Sequence, residues 1–100
     1  MNKFLSFLGL VKRSGNILEG YNKCEEALGK RKIHLIILSD DVSERTKERF
    51  LKYCEKYSIP YINKYSKEEL GYSVGKDELN IIAITDLNMA NKLKSYNENN

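Results

Sequence analysis

The side chains that most often do covalent or metal chemistry are few in this chain. Two cysteines, Cys24 and Cys54, stand thirty positions apart outside any CxxC pair, and His34 is the sole histidine. A zinc site needs three or four such ligands at recognisable spacing, so neither a metal nor any other cofactor is expected. Cys54 as a nucleophile would need a base within hydrogen-bond reach, and no Asp or Asn signature ties it to His34. Packing in a core is the preferred reading of both thiols, and a packed or edge histidine that of His34, which sits within an apolar run. Asp40-Asp41 follows that run, where α/β proteins hold metal or phosphate ligands. Capping of the next helix accounts for both acids and is preferred. Gly15 and Gly20 lack the third glycine of a dinucleotide fingerprint and the Lys-Ser/Thr of a phosphate loop. The chain therefore reads as one without catalysis.

One constellation suits recognition instead: Ser14-Gly15-Asn16-Ile17-Leu18-Glu19-Gly20-Tyr21-Asn22-Lys23. A helix opening at Gly20 presents unsatisfied backbone N–H groups and the positive end of its dipole, and glycine lets a phosphate backbone approach closely. Asn22 can donate and accept at once, as a base edge requires, while Lys23 and Lys30 lie on or near the same helix to neutralise phosphates. An ordinary helix start with a solvated charged face fits the same residues equally well. Of the seven tyrosines, Tyr21 and Tyr72 lie where a ring could meet a ligand. Tyr53 and Tyr57 fall on the inward face of a long helix, and Tyr61 and Tyr65 flank a short strand.

The elements that must hold these residues alternate between short β-rich runs and stretches of helical period, the pattern of a layered α/β domain. Asn2 to Arg13 is a helix with Phe4, Phe7, Leu8 and Val11 on one face, stopped at Ser14-Gly15-Asn16. Ile17 to Glu19 is a short strand, and a second helix from Gly20 to near Gly29 ends against the basic cluster Lys30-Arg31-Lys32. Ile33 to Ser39 is the clearest strand, apolar enough to be covered on both faces and central in the sheet. Asp41 with Glu44 has the spacing of a capping box for a long helix to about Tyr57, directed inward by Thr46, Phe50, Tyr53, Cys54 and Tyr57. Pro60 marks the start of a short strand. Ser66 with Glu69 is a second capping box, opening a helix that finishes at Gly75. Leu79 to Thr85 is a fourth strand, and Thr85 or Asp86 caps a last helix through Leu93. Residues 1–94 are expected to be one domain and 95–100 a frayed polar tail.

A chain of one hundred residues allows a single modest core. With 41% hydrophobic and 31% charged residues, it belongs with folded rather than disordered chains. No apolar run approaches the length of a membrane span, and Met1 to Val11 differs from a secretion signal in its Ser6, Gly9 and following Lys12-Arg13. A cytoplasmic monomer away from membranes is the expectation. The formal charge is only +3, but residues 1–32 hold seven basic against three acidic side chains, so the basic excess sits in the first third.

Taken together, the run from Ser14 to Asp41, with its Gly-x-Ile-x-x-Gly-x-Asn segment, Ala27 and a buried strand ending in Ser-Asp-Asp, resembles the kink-turn RNA-binding family of ribosomal proteins, the L7Ae family. The likeness continues through Ile59-Pro60-Tyr61, Ser66-Lys67-Glu68-Glu69-Leu70-Gly71 and Gly75-Lys76. Asp41-Val42-Ser43, Ala83-Ile84-Thr85-Asp86 and Ala90-Asn91-Lys92-Leu93 look most like its small bacterial YlxQ-type branch. The resemblance implies a three-layer α/β/α sandwich with a mixed four-stranded sheet. It implies a structured RNA as partner, ribosomal or another kink-turn RNA, with a ribosomal or RNA-processing protein as a further partner. It also implies a mode of binding: the start of the second helix enters the widened groove of a kinked RNA at sheared G·A pairs, and the loop before the last strand holds a flipped-out nucleotide. By position the helical signature falls on Gly20, Tyr21, Asn22, Lys23 and Glu26, and the loop on Lys76, Asp77, Glu78 and Leu79. Lys30 and Arg31 would extend a positive rim. Gly20 and Asn22 match the family's pattern. Lys23 stands where the family has an acid, Glu26 where it has a lysine, and Glu19 where a basic residue is common. A protein-interaction module on the same fold is the alternative reading, favoured by that exchange of charges.

Overall fold

The computed structural model describes residues 2–98. Nine elements follow in order: α1 (Lys3–Ser14), β1 (Ile17–Glu19), α2 (Tyr21–Ala27), β2 (Leu35–Leu38), α3 (Glu44–Tyr57), β3 (Tyr61–Ile62), α4 (Lys67–Ser73), β4 (Ile81–Ile84) and α5 (Leu87–Glu98). The four strands form one sheet in the order β1-β4-β2-β3, with β4 antiparallel to both neighbours and β2 parallel to β3. All residues of β2 and β4 are buried, as expected of strands covered on both faces. Successive side chains point to opposite sides, so the core divides in two. Leu35, Ile37, Ile82 and Ile84 pack with Phe4, Leu8 and Val11 of α1, Leu70 of α4 and Leu93 of α5. Ile36, Leu38, Ile81 and Ala83 pack with Cys24 and Ala27 of α2 and Phe50 and Cys54 of α3. The protein is thus a three-layer α/β/α sandwich around a mixed four-stranded sheet.

Local chemistry explains most element ends. Asn2 caps α1 by accepting from the Leu5 N–H, and Gly15 closes it in the left-handed region at φ 81°. Ser66 and Glu69 form the complete capping box of α4, and Asp86, not Thr85, caps α5 by accepting from the Met89 N–H at 2.9 Å. The box expected at Asp41 and Glu44 does not form. Ser43 caps α3 by accepting from the Thr46 N–H, and Asp41 Oδ1 instead accepts from the Lys67 N–H at 3.0 Å, satisfying a free donor at the start of α4.

Other differences come from tertiary packing. The second helix stops at Ala27, so the basic cluster lies beyond its end rather than in its last turn. Tyr57, expected inward, is 37% exposed, because it sits at the terminus of α3 with its hydroxyl against Gly29. The last helix does not end at Leu93 but runs to Glu98, where Tyr96 sets its ring edge-on to Phe7 at 5.8 Å. That contact orders a turn that composition alone assigns to a frayed tail. Asn99 and Asn100 lie outside the described residues.

Gly71 governs how α4 meets the segment before β4. A Cβ there would stand 2.6 Å from Glu78 Cα and 2.7 Å from its backbone nitrogen, distances no backbone can accept without moving. The Lys76 N–H donates to the Gly71 carbonyl at 2.9 Å, and the Leu79 N–H to that of Lys67 at 2.9 Å. Gly71→Ala is therefore expected to destabilise the fold by about 1–3 kcal/mol through overpacking, measured by urea unfolding. A loss below about 0.5 kcal/mol, within the range of ordinary surface substitutions, would contradict this account.

Candidate nucleic-acid interface

Gly20 joins the end of β1 to the start of α2. Its φ of 95° and ψ of 164° lie in a region essentially reserved for glycine. No side chain caps α2, so the first N–H groups of that helix have no side-chain acceptor at its cap. The Gly20 N–H itself donates to the Ile81 carbonyl at 2.9 Å, which fixes this corner to the entry of β4. Across from it runs the α4–β4 segment. Ser39, fully buried, donates through Oγ to Asn80 Oδ1 at 2.7 Å, and its N–H donates to the Asn80 carbonyl at 2.9 Å. The result is a cleft of about 540 Å³ whose walls include Gly20, Tyr21, Asp41, Lys67, Glu78 and Leu79.

The floor beside this cleft is built from aromatic and charged contacts. The Tyr21 ring meets Phe50 edge-on at 5.3 Å, with the Arg49 guanidinium 6.0 Å from its centroid. Arg49 pairs with Glu25 at 3.0 Å, and Tyr53 donates its hydroxyl proton to the same carboxylate oxygen at 2.6 Å. That hydrogen bond, opposed by partial burial and aided by Arg49, holds the Glu25 carboxyl below its usual range. Burial, with the Glu25 carboxylate adding to it against Arg49, pushes the Tyr21 phenol up.

A second carboxylate lies at the other side of the corner. The Glu19 side chain is 7% exposed, with Lys12 Nζ 2.7 Å from Oε2 and Lys76 Nζ 2.7 Å from Oε1. Burial alone raises its pKa, but the hydrogen bonds and charges of the two lysines outweigh it and leave the group below its ordinary 4.5. Glu19 thereby ties the last turn of α1 to the α4–β4 segment.

Comparison with known proteins decides the family. The model of the "Ribosomal protein L7Ae/L30e/S12e/Gadd45 family" matches residues 2–94. The chain belongs to this family. It is 30% identical to the RNA-binding protein YlxQ of Bacillus subtilis (strain 168) over 93 residues, 93% of each chain. It is 25% identical to the RNA-binding protein YlxQ of Enterococcus faecium over 96 residues, 96% of this chain and 92% of that one. Among solved structures, a protein of unknown function from Bacillus halodurans C superposes with a TM-score of 0.94 at 32% identity, covering 98% of this chain and 99% of the other. The Giardia lamblia 15.5kD RNA binding protein superposes at 0.73 with 18% identity, covering 92% and 85%, a likeness of fold.

Within this L7Ae-family fold the residues singled out from sequence fall into four groups. Gly20, Tyr21, Glu78 and Leu79 share the large cleft. Lys23, Glu26, Lys30 and Arg31 line a separate shallow cleft of about 320 Å³ with Leu18 and Ala27. Asn22 is exposed on the first turn of α2, and Asp77 is exposed on the α4–β4 segment. The fourth is Lys76 alone, held by Glu19. Tyr21 is half-buried against Phe50 and Arg49, so it walls the cleft rather than standing open to it. Tyr72, 71% exposed, lies on α4 beside Asn2, Leu5 and Arg13, away from this corner. Sequence reasoning missed Asp41, Val42 and Thr46 as cleft walls and missed Glu19 as a partner of two lysines. Burial pushes the Cys24 and Cys54 thiols up to about 12 and about 11, as packed cysteines require and reactive ones do not allow.

Because the Glu19 carboxyl is depressed in the fold, its ion pairs stabilise fully above about 4.5 and that contribution disappears as pH falls through the lower folded-state value. Thermal unfolding across this range is expected to show the melting temperature of the native protein dropping more steeply with acid than that of Glu19→Gln. Parallel curves for the two would contradict a charged Glu19 in the fold.

Proposed function

We propose that this protein binds structured RNA, recognising a kink-turn through the start of α2 and the α4–β4 segment. It is a binding protein, not an enzyme. The observation that carries this reading is the cleft itself: the two segments that the family resemblance assigns to RNA, far apart in the chain, face each other across it at Gly20 and at Glu78-Leu79. Family membership and the two relatives that are RNA-binding proteins support RNA as the ligand. Gly20 leaves room for a phosphate backbone, since nothing lies within 4 Å of where its Cβ would be. Asn22 offers a donor and an acceptor to a base edge. Lys23, Lys30 and Arg31 take no part in the four ion pairs found among the described residues, so their charge is available to phosphates. Ribosomal RNA is the natural source of such a motif for a ribosomal-protein fold.

Binding of the purified protein to a labelled kink-turn RNA, beside a duplex of equal length lacking the G·A pairs and at two salt concentrations, tests this reading. Preference for the kinked RNA is expected, with affinity falling as salt rises. Equal affinity for both RNAs would reduce the reading to a general basic surface, and no binding to either would favour the protein-interaction module. Asn22→Ala is expected to weaken kink-turn binding by about 1–3 kcal/mol, the worth of a good base contact, and Lys30→Ala to weaken it and flatten the salt dependence, each with the melting temperature nearly unchanged. The double exchange Lys23→Glu with Glu26→Lys is expected to strengthen kink-turn binding. An unchanged affinity would show that these two positions do not meet the G·A pairs.

A further inference from the structure

We propose that Glu19 is a specificity-determining residue of the RNA site, an internal carboxylate that occupies two lysines which any phosphate backbone would otherwise engage. The proposal rests on the RNA-binding reading above. Its basis is geometric: each oxygen of one nearly buried carboxylate holds one ammonium at 2.7 Å, and the two lysines come from opposite sides of the corner. Lys12 belongs to the last turn of α1 and Lys76 to the α4–β4 segment, while Glu19 directly precedes Gly20.

Both lysine side chains stay partly open to solvent, 42% for Lys12 and 48% for Lys76, so a phosphate could reach either ammonium if the carboxylate released it. The main chain that carries Glu19 is held in place. It is paired within the sheet opposite Ile82, and its neighbour Gly20 is bonded to Ile81. A carboxylate and a phosphate compete for the same ammonium, and the carboxylate, already placed by the sheet between the two lysines, has less ordering to undergo than an arriving phosphate. The carboxylate thus offsets one of these two positive charges while occupying both ammonium groups, which weakens the sequence-independent part of the affinity, the part that binds every duplex alike. The same pairs hold the α4–β4 segment in register with the start of α2, so that Glu78 and Leu79 meet an RNA already positioned. The acid therefore acts in two ways: it lowers the grip on wrong RNA and preserves the shape that reads the right one.

Glu19→Gln separates this role from a merely structural one. In the variant, the affinity for the duplex lacking G·A pairs is expected to rise several-fold. Its log–log salt slope should steepen by up to two phosphate contacts, at about 0.9 each, and the ratio of kink-turn to duplex affinity should fall. An unchanged duplex affinity and slope in a folded variant would overturn the proposal. Lys12→Gln supplies the second arm, which stands even where Glu19→Gln fails to fold. Alone it is expected to leave duplex binding and its slope unchanged, because Lys12 is already occupied. In the Glu19→Gln background it should reverse about half of the gain in slope. A slope that falls by about one on Lys12→Gln alone would show Lys12 on phosphate in the native protein and overturn the proposal. Failure of the native protein to bind either RNA would instead overturn the underlying RNA reading.

Discussion

The backbone of β4 is the constraint on which the rest of this molecule depends. It lies between β1 and β2, antiparallel to both, and its side chains Ile81 to Ile84 are buried on the two faces of the sheet. A strand without an exposed face or a free edge cannot slip by one residue, since a slip would turn every side chain to the wrong layer. Whatever is bonded to its ends inherits that rigidity. Gly20 hangs from the Ile81 carbonyl, and the end of β2 hangs from Asn80 through Ser39. The two walls of the cleft are consequently placed by the same four-residue strand, although fifty-eight positions separate Gly20 from Glu78 in the chain.

On this scaffold the charges are divided between internal and external use. Glu25 holds Arg49, and Glu19 holds Lys12 and Lys76. Lys23, Lys30 and Arg31 have no such partner among the ion pairs described. A net charge of +3 therefore understates how uneven the surface is, because neutralised and free cations occupy different places. The arrangement is consistent with a binder that relies on shape as much as on charge.

Much of the fold could be read along the chain because single stretches carry their own signal. The uninterrupted apolar run before Ser39 announces a strand covered on both faces, and Ser66 with Glu69 announces the start of α4 by local hydrogen bonding alone. Asp41 shows where such reading stops. Its spacing to Glu44 imitates a local cap, yet its carboxylate serves Lys67, twenty-six positions away. The site divides in the same manner. The candidate stretch from Gly20 to Lys23 stands out in the chain because its residues are contiguous, whereas the Glu19 clamp joins residues seven and fifty-seven positions away from it. No pattern in the chain distinguishes that acid from a solvated one until the fold buries it. Likewise, the last turn of α5 looks like a polar tail until Tyr96 finds Phe7.

The outer strands of the sheet carry a consequence for the protein in a crowded cell. β1 has three residues and β3 two, so each lateral border offers only a brief row of unpaired backbone groups. Pro60 precedes β3 without an N–H to donate, and β1 ends at Glu19, where Gly20 takes the chain into α2. Long, flat borders invite strands of other molecules to add on and seed aggregates, while borders this short give an incoming strand too few hydrogen bonds to remain. A sheet whose two central strands are among its most apolar segments is thereby kept from polymerising through its edges.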